Sequence, residues 1–167
     1  LLGESMKATD KTYVIATCNE EDTIKIGAIM ASVFENRVIA ICGDLGAGKT
    51  HLAKGIAKGM GITRHITSPT FNILNEYKTN DKTFYHMDAY RLTDAEDAYE
   101  IGIEDILEPH GITLIEWAEN IIDTLPQGYV SIYIEKGEDV NKRLLFITAD
   151  KESIDRMANL IYENTDR

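Results

Sequence analysis

The residues best placed to do chemistry in this chain are eight in a row. Gly43-Asp44-Leu45-Gly46-Ala47-Gly48-Lys49-Thr50 fits the pattern G-x-x-x-x-G-K-[ST] in full. A polyphosphate offers no apolar handle, so it is held by main-chain N–H groups and by the positive end of a helix, and glycine lets that main chain come close. At this spacing Lys49 is expected to bridge the β- and γ-phosphates of a nucleoside triphosphate, and Thr50 to set its hydroxyl on Mg²⁺. Gly43 to Thr50, with His51 after them, form the expected nucleotide-binding stretch. Residue usage puts accidental matches to the pattern at roughly one in a few hundred chains of comparable length.

Triphosphate chemistry also calls for a carboxylate at the end of a nearby central strand. Glu116 follows the run Ile112 to Ile115, and Asp88 follows Phe84 to Met87. Both are expected at the C-terminal edge of a sheet, where open α/β folds take their ligands. Glu116 is assigned to the metal and Asp88 to ordering the attacking water or a metal-bound water; the sequence also permits the reverse. Lys49, Asp88 and Glu116 make up the candidate catalytic set, Thr50 and Glu116 the candidate metal set. Thr67-Ser68-Pro69-Thr70-Phe71 falls where nucleotide-binding proteins carry a switch, with Ser68 and Thr70 as its hydroxyls, and it reads equally as a proline turn entering a strand. Trp117 reads as core packing or as a cover over the mouth of the site.

These residues need strands and helices to position them. Thr12 to Ala16 alternates like a strand, and Asn19 before three acids caps a helix reaching about Phe34. Arg37 to Cys42, rich in Val and Ile, is a strand buried on both faces; it feeds the glycine loop and a second helix ending near Gly61. Two extended runs from Phe71 to Asp88 flank Asn80-Asp81 and make a hairpin. Thr93 to Leu107 is helical in period with Gly102 interrupting it, and Ile112 to Ile115 is another central strand. Tyr129 to Glu135 and Lys142 to Ala149 pair as late strands, and Glu152 to Asn164 closes as a helix. The expected fold class is α/β, a P-loop NTPase-like three-layer fold with a mixed central sheet flanked by helices. No linker or repeat divides residues 1–167, so one ATPase-sized domain is expected, with Leu1 to Ser5 before Met6 reading as an expression remnant.

Composition narrows the function classes. Seventeen basic against 28 acidic side chains give a net charge of −11, which opposes autonomous binding to nucleic acid while permitting a local anion site built from amides and one lysine. The two cysteines, Cys18 and Cys42, sit in no metal-binding or redox spacing; Cys42 reads as a small core residue and the setting as reducing and cytoplasmic. No run of about 18 apolar residues suggests a membrane span. The four histidines have no paired spacing for zinc, and His86 reads as a hydrogen-bonded strand residue.

With the loop, Thr67 to Phe71, His86-Met87-Asp88-Ala89-Tyr90-Arg91-Leu92 and Ile115-Glu116-Trp117 in this order, the chain resembles the TsaE (YjeE) family over about residues 13 to 150. Those proteins are bacterial ATPases of tRNA threonylcarbamoyladenosine synthesis. The resemblance implies ATP and Mg²⁺ at the loop, Thr50 and Glu116 near the metal, and functional weight on Asp88 and Trp117, with Tyr90 and Arg91 in the same segment. It implies TsaB and TsaD as partners and tRNA met only through their complex, with ATP driving its cycle. Glu100 to Asp105 resembles a family element for docking or nucleotide sensing and also reads as an amphipathic helix with an acidic face. The one departure is His51, where a second Thr is common.

Two rival functions are weaker. A small-molecule kinase would need several arginines around an acceptor and lid, and the six arginines form no cluster in sequence. A GTPase-like switch would need Asn-Lys-x-Asp, and Asn141-Lys142-Arg143-Leu144 has Leu where Asp must accept from guanine. No obvious arginine finger is present, so slow hydrolysis, completed by a partner, is expected.

Overall fold

A computed structural model describes residue 7 and residues 9–165. The proposed remnant Leu1 to Ser5 lies outside the described residues. Seven strands form one mixed sheet: β1 (Asp10–Thr17), β2 (Arg37–Gly43), β3 (Leu74–Lys78), β4 (Thr83–Asp88), β5 (Gly111–Glu116), β6 (Val130–Lys136) and β7 (Arg143–Asp150). Their spatial order is β1-β7-β6-β2-β5-β4-β3. β2 pairs in parallel with both β5 and β6, and β4 with β5, while β7, β1 and β3 join antiparallel at the two flanks.

Burial follows position in the sheet. All six residues of β5 and six of seven in β2 are buried, because both faces of the centre are covered, which is why these strands read as continuous apolar runs. β6 and β7 alternate between buried and more exposed positions, as strands with one covered face do. Helices α1 (Glu20–Val33), α2 (Lys49–Gly59) and α4 (Lys151–Thr165) cover one face, packing Met30, Leu52, Ile56 and Met157 on Ile39, Phe84, Leu114, Ile132 and Ile147. The opposite face is covered more thinly by α3 (Ala95–Glu100) and two 3₁₀ segments, Ile103–Ile106 and Ala118–Thr124, over Val38, Ala40, Met87 and Ile115. The fold is thus the expected three-layer α/β arrangement.

Element ends differ from expectation for local reasons. Asn19 caps α1 as expected, its Oδ1 accepting the Asp22 N–H at 2.8 Å. The run from Phe71 does not begin a strand: the chain turns through Ile73 at φ 64°, with its N–H donating to the Pro69 carbonyl, and β3 starts at Leu74. In Thr93 to Leu107 the expected interruption falls at Gly102, whose φ of 80° separates α3 from a 3₁₀ turn. The 3₁₀ segment after β5 was not anticipated from the sequence; it lacks a clean apolar period.

Helices α1 and α2 cross backbone to backbone. A Cβ on Gly55 would lie 2.2 Å from the Ile24 carbonyl oxygen and 2.9 Å from the Gly27 Cα, so only glycine permits this approach. The crossing brings the start of α1 beside the start of α2, where the glycine loop ends.

Candidate functional site

Parallel pairing puts the C-terminal ends of β6, β2, β5 and β4 along one edge, and there the glycine loop, Glu116 and Asp88 meet around a cavity of about 620 Å³. The loop leaves β2 at Gly43, whose φ of 150° and 2.7 Å clearance from the Ile134 carbonyl at the Cβ position demand glycine, and enters α2 through Gly48 at φ 106°. Lys49 opens α2 and is 7% exposed. Its ammonium donates to the carbonyls of Gly43 and of Asp44 (3.0 Å), and lies 4.7 Å over the centre of the Trp117 ring. The ammonium is thus already drawn across the loop, with its charge shared among neutral acceptors.

Asp88 and Glu116 are direct register partners on β4 and β5, both buried, both on the cavity wall. The Asp88 Oδ1 accepts the Tyr90 N–H at 2.9 Å. The Glu116 Oε1 pairs with His86 Nε2 at 2.8 Å, and among the described residues no hydrogen bond takes its Oε2. Thr50 faces the same cavity. A hydroxyl and a carboxylate with a spare oxygen are hard oxygen donors, and they suit Mg²⁺, which keeps several waters and takes few protein ligands.

Ser68 and Thr70, hydrogen-bonded to each other at 3.1 Å, line the cavity from the opposite side. Trp117 both packs on the core and lines the cavity. It turns through the left-handed region at φ 55°, with its ring 5.1 Å from that of Tyr90. His51 lines the wall, with Nε2 3.2 Å from Glu20. Leu45, Gly46 and Ala47 line it too, whereas Asp44 contributes its carbonyl to Lys49 and Ala47 from outside. Arg91 is not brought to the site: it is exposed and lies 5.8 Å over the Phe71 ring.

Several residues at the site had no sequence signal. Arg143, the first residue of β7, donates from Nε to the Ala47 carbonyl at 2.8 Å and from a terminal nitrogen to Gly46 at 3.2 Å, while its other nitrogen holds Val140 and Lys142. Asn19 and Thr23 of α1 form another wall. Each is twenty or more positions from the loop, and only the sheet register or the α1–α2 crossing brings it near. His86, read as a hydrogen-bonded strand residue, is one: it sits fully buried in β4. Cys42 is buried as expected, its thiol donating to Glu119 at 2.9 Å.

Similarity to known proteins bears on this geometry. Residues 17–145 match the family described as threonylcarbamoyl adenosine biosynthesis protein TsaE. A tRNA threonylcarbamoyladenosine biosynthesis protein TsaE from Bacillus subtilis strain 168 is 39% identical over 131 residues, covering 78% of this chain and 82% of the relative. One from Rickettsia felis is 43% identical over 138 residues, covering 81% and 80%. The crystal structure of Bacillus subtilis YdiB superposes with a TM-score of 0.76 at 32% identity, covering 95% of this chain and 99% of that one.

Proposed function

The chain belongs to the TsaE family, and on that premise we propose that it is a Mg²⁺-dependent ATPase that drives tRNA threonylcarbamoyladenosine modification with TsaB and TsaD as partners. The observation that carries this reading is the convergence of Lys49, Thr50, Asp88 and Glu116 on one cavity at the strand ends. The loop amides and the N-terminus of α2 bind the phosphates, and Lys49 exchanges its carbonyl contacts for phosphate oxygens. Thr50 and Glu116 would hold Mg²⁺, which would supply positive charge to offset that of the phosphates. Asp88, with one oxygen fixed by the Tyr90 amide, uses the other to order the attacking water. Ser68 and Thr70 answer the γ-phosphate from the facing loop.

Turnover by the chain alone is slow in this reading. Among the described residues Arg143 is the only arginine lining the cavity, and its guanidinium is tied to four main-chain carbonyls, while Arg91 faces away over the Phe71 ring. The acidic surface suits a subunit that works through a protein complex and meets tRNA only indirectly, in the cytoplasm. Among the described residues no helix is long and apolar enough to cross a membrane.

The test is Lys49→Ala. ATP binding and hydrolysis are expected to vanish while the thermal melt stays close to that of the parent protein. A folded Lys49→Ala variant with unchanged ATP turnover, alone and with the partner pair and tRNA, overturns the proposal.

A further inference from the structure

His86 is 0% exposed and forms one polar contact, Nε2 to the Glu116 Oε1 at 2.8 Å; its Nδ1 is buried with no partner. Nε2 is thus committed to the Glu116 carboxylate, while Nδ1 keeps a hydrogen-bonding capacity that nothing meets. A polar atom left unsatisfied in a core is destabilising, and a leucine or phenylalanine at this position would avoid that cost. Around it, Phe84 stacks on the imidazole at 5.9 Å with planes 20° apart, Leu114 is its register partner on β5, and Asn75, its register partner on β3, donates its amide nitrogen to the Thr67 carbonyl and the Tyr77 hydroxyl rather than to Nδ1. An imidazole here is therefore poorly explained by packing.

Its geometry toward Glu116 explains it. In the parallel β4–β5 register His86 opposes Leu114 and Asp88 opposes Glu116, so the imidazole reaches diagonally by two positions to the carboxylate. Glu116 is 4% exposed. Without the His86 donor, Oε1 would be a charged acceptor in the core with no partner, and the side chain would leave that rotamer. With it, Oε1 is anchored and Oε2 is the oxygen left to the cavity.

We propose that His86 is a positioning residue that fixes the Glu116 carboxylate so that one oxygen points to the metal-bearing side of the site. The inference rests on the functional reading above, and it assigns to the core of β4 a part in metal and water placement. Outer partners of metal-binding groups typically change affinity or activity by about 10–100-fold when removed.

The experiment compares the full chain with His86→Leu, His86→Gln and His86→Asn, using calorimetric ADP binding with and without Mg²⁺, ATP turnover and thermal melts. Gln can present an N–H close to where Nε2 stood; Leu offers none, and Asn falls short. For His86→Leu, ADP affinity without metal should stay within about twofold, the gain in affinity on adding Mg²⁺ should shrink at least about fivefold, and kcat should fall at least about tenfold with KM little changed. His86→Gln should recover most of both losses, and if His86→Leu does not fold the contrast between Gln and Asn carries the same prediction. Equal behaviour of all folded variants, whether like the parent or equally impaired, overturns the inference. Absence of ATP and ADP binding by the parent protein overturns the functional reading instead, and the inference with it.

Discussion

Replacing Arg143 by Ala tests how much of the loop's shape is held from outside the motif. The guanidinium joins four carbonyls, Gly46 and Ala47 in the loop at 3.2 and 2.8 Å, and Val140 and Lys142 in the β6–β7 connection at 2.8 and 2.7 Å. Hydrogen bonds to a charged group contribute about 1.5–3 kcal/mol when well shielded. Arg143 is only half-buried, and exposed charge interactions are worth about 0.2–1 kcal/mol. The two bonds that reach the loop together then contribute about 1–2 kcal/mol. If nucleotide binding requires the loop in this shape, Arg143→Ala weakens ADP and ATP binding by about five- to thirtyfold. Arg143→Lys should fall between the two, since one ammonium cannot span the forked set of acceptors. Calorimetric titration of ADP at fixed salt, alongside thermal melts, reads both variants. An Arg143→Ala affinity within about twofold of the parent refutes the claim that the guanidinium holds the loop.

Other perturbations follow from the same geometry. Gly55→Ala drives a methyl into the Ile24 carbonyl at 2.2 Å and should cost about 3 kcal/mol despite the better helix propensity of Ala, as read by urea unfolding. Asp88→Asn should keep nucleotide affinity, Glu116→Gln should keep metal-free ADP affinity while losing the gain on adding Mg²⁺, and both should fail to support the modification reaction in a reconstituted assay; full activity of either sinks its assigned role. Burial, reinforced by Glu119, pushes the Cys42 thiol up to about 12, so at pH 8 iodoacetamide should label exposed Cys18 and spare Cys42 in the folded protein. The same shift makes the folded chain hold a proton that the unfolded chain sheds near 9.0, so this contribution to stability is complete below pH 9 and is lost between pH 9 and about 12, which urea midpoints across that range can follow. Hydrogen bonds from Lys11 and Lys151 hold the Asp155 carboxyl below its ordinary 3.8. The stability they contribute is present above that pH and disappears as pH falls through the lower folded value, so Asp155→Asn and the parent should converge in acid.

The parts of the site legible in the sequence are those whose chemistry is contiguous. The glycine loop declares itself because eight adjacent residues each have a job, and Asp88 and Glu116 because a carboxylate ends an apolar run where a strand meets the ligand edge. Central strands were readable for a related reason: burial on both faces leaves β2 and β5 nearly free of polar residues. What escaped depends on register. Arg143 reaches the loop only because β7 lies antiparallel to β6, and β6 parallel to β2; Asn19 reaches it only because α1 crosses α2 closely. In the Thr93 to Leu107 segment the interruption at Gly102 was legible, whereas the tightening of the second piece into a 3₁₀ turn was not, because a helical period does not separate the two. Arg91 sits next to Tyr90 in sequence yet faces away, because both lie in the turn closed by the Leu92 N–H on the Ala89 carbonyl.

The glycine crossing of α1 on α2 has a mechanical consequence. Where side chains separate two helices, a small displacement of one can be absorbed by rotamer changes in the layer between them. Here main chain rests on main chain, and no such cushion exists. Any displacement of the first turn of α2 is therefore passed through main-chain contact to α1, and with it to the cavity wall at Asn19 and Thr23.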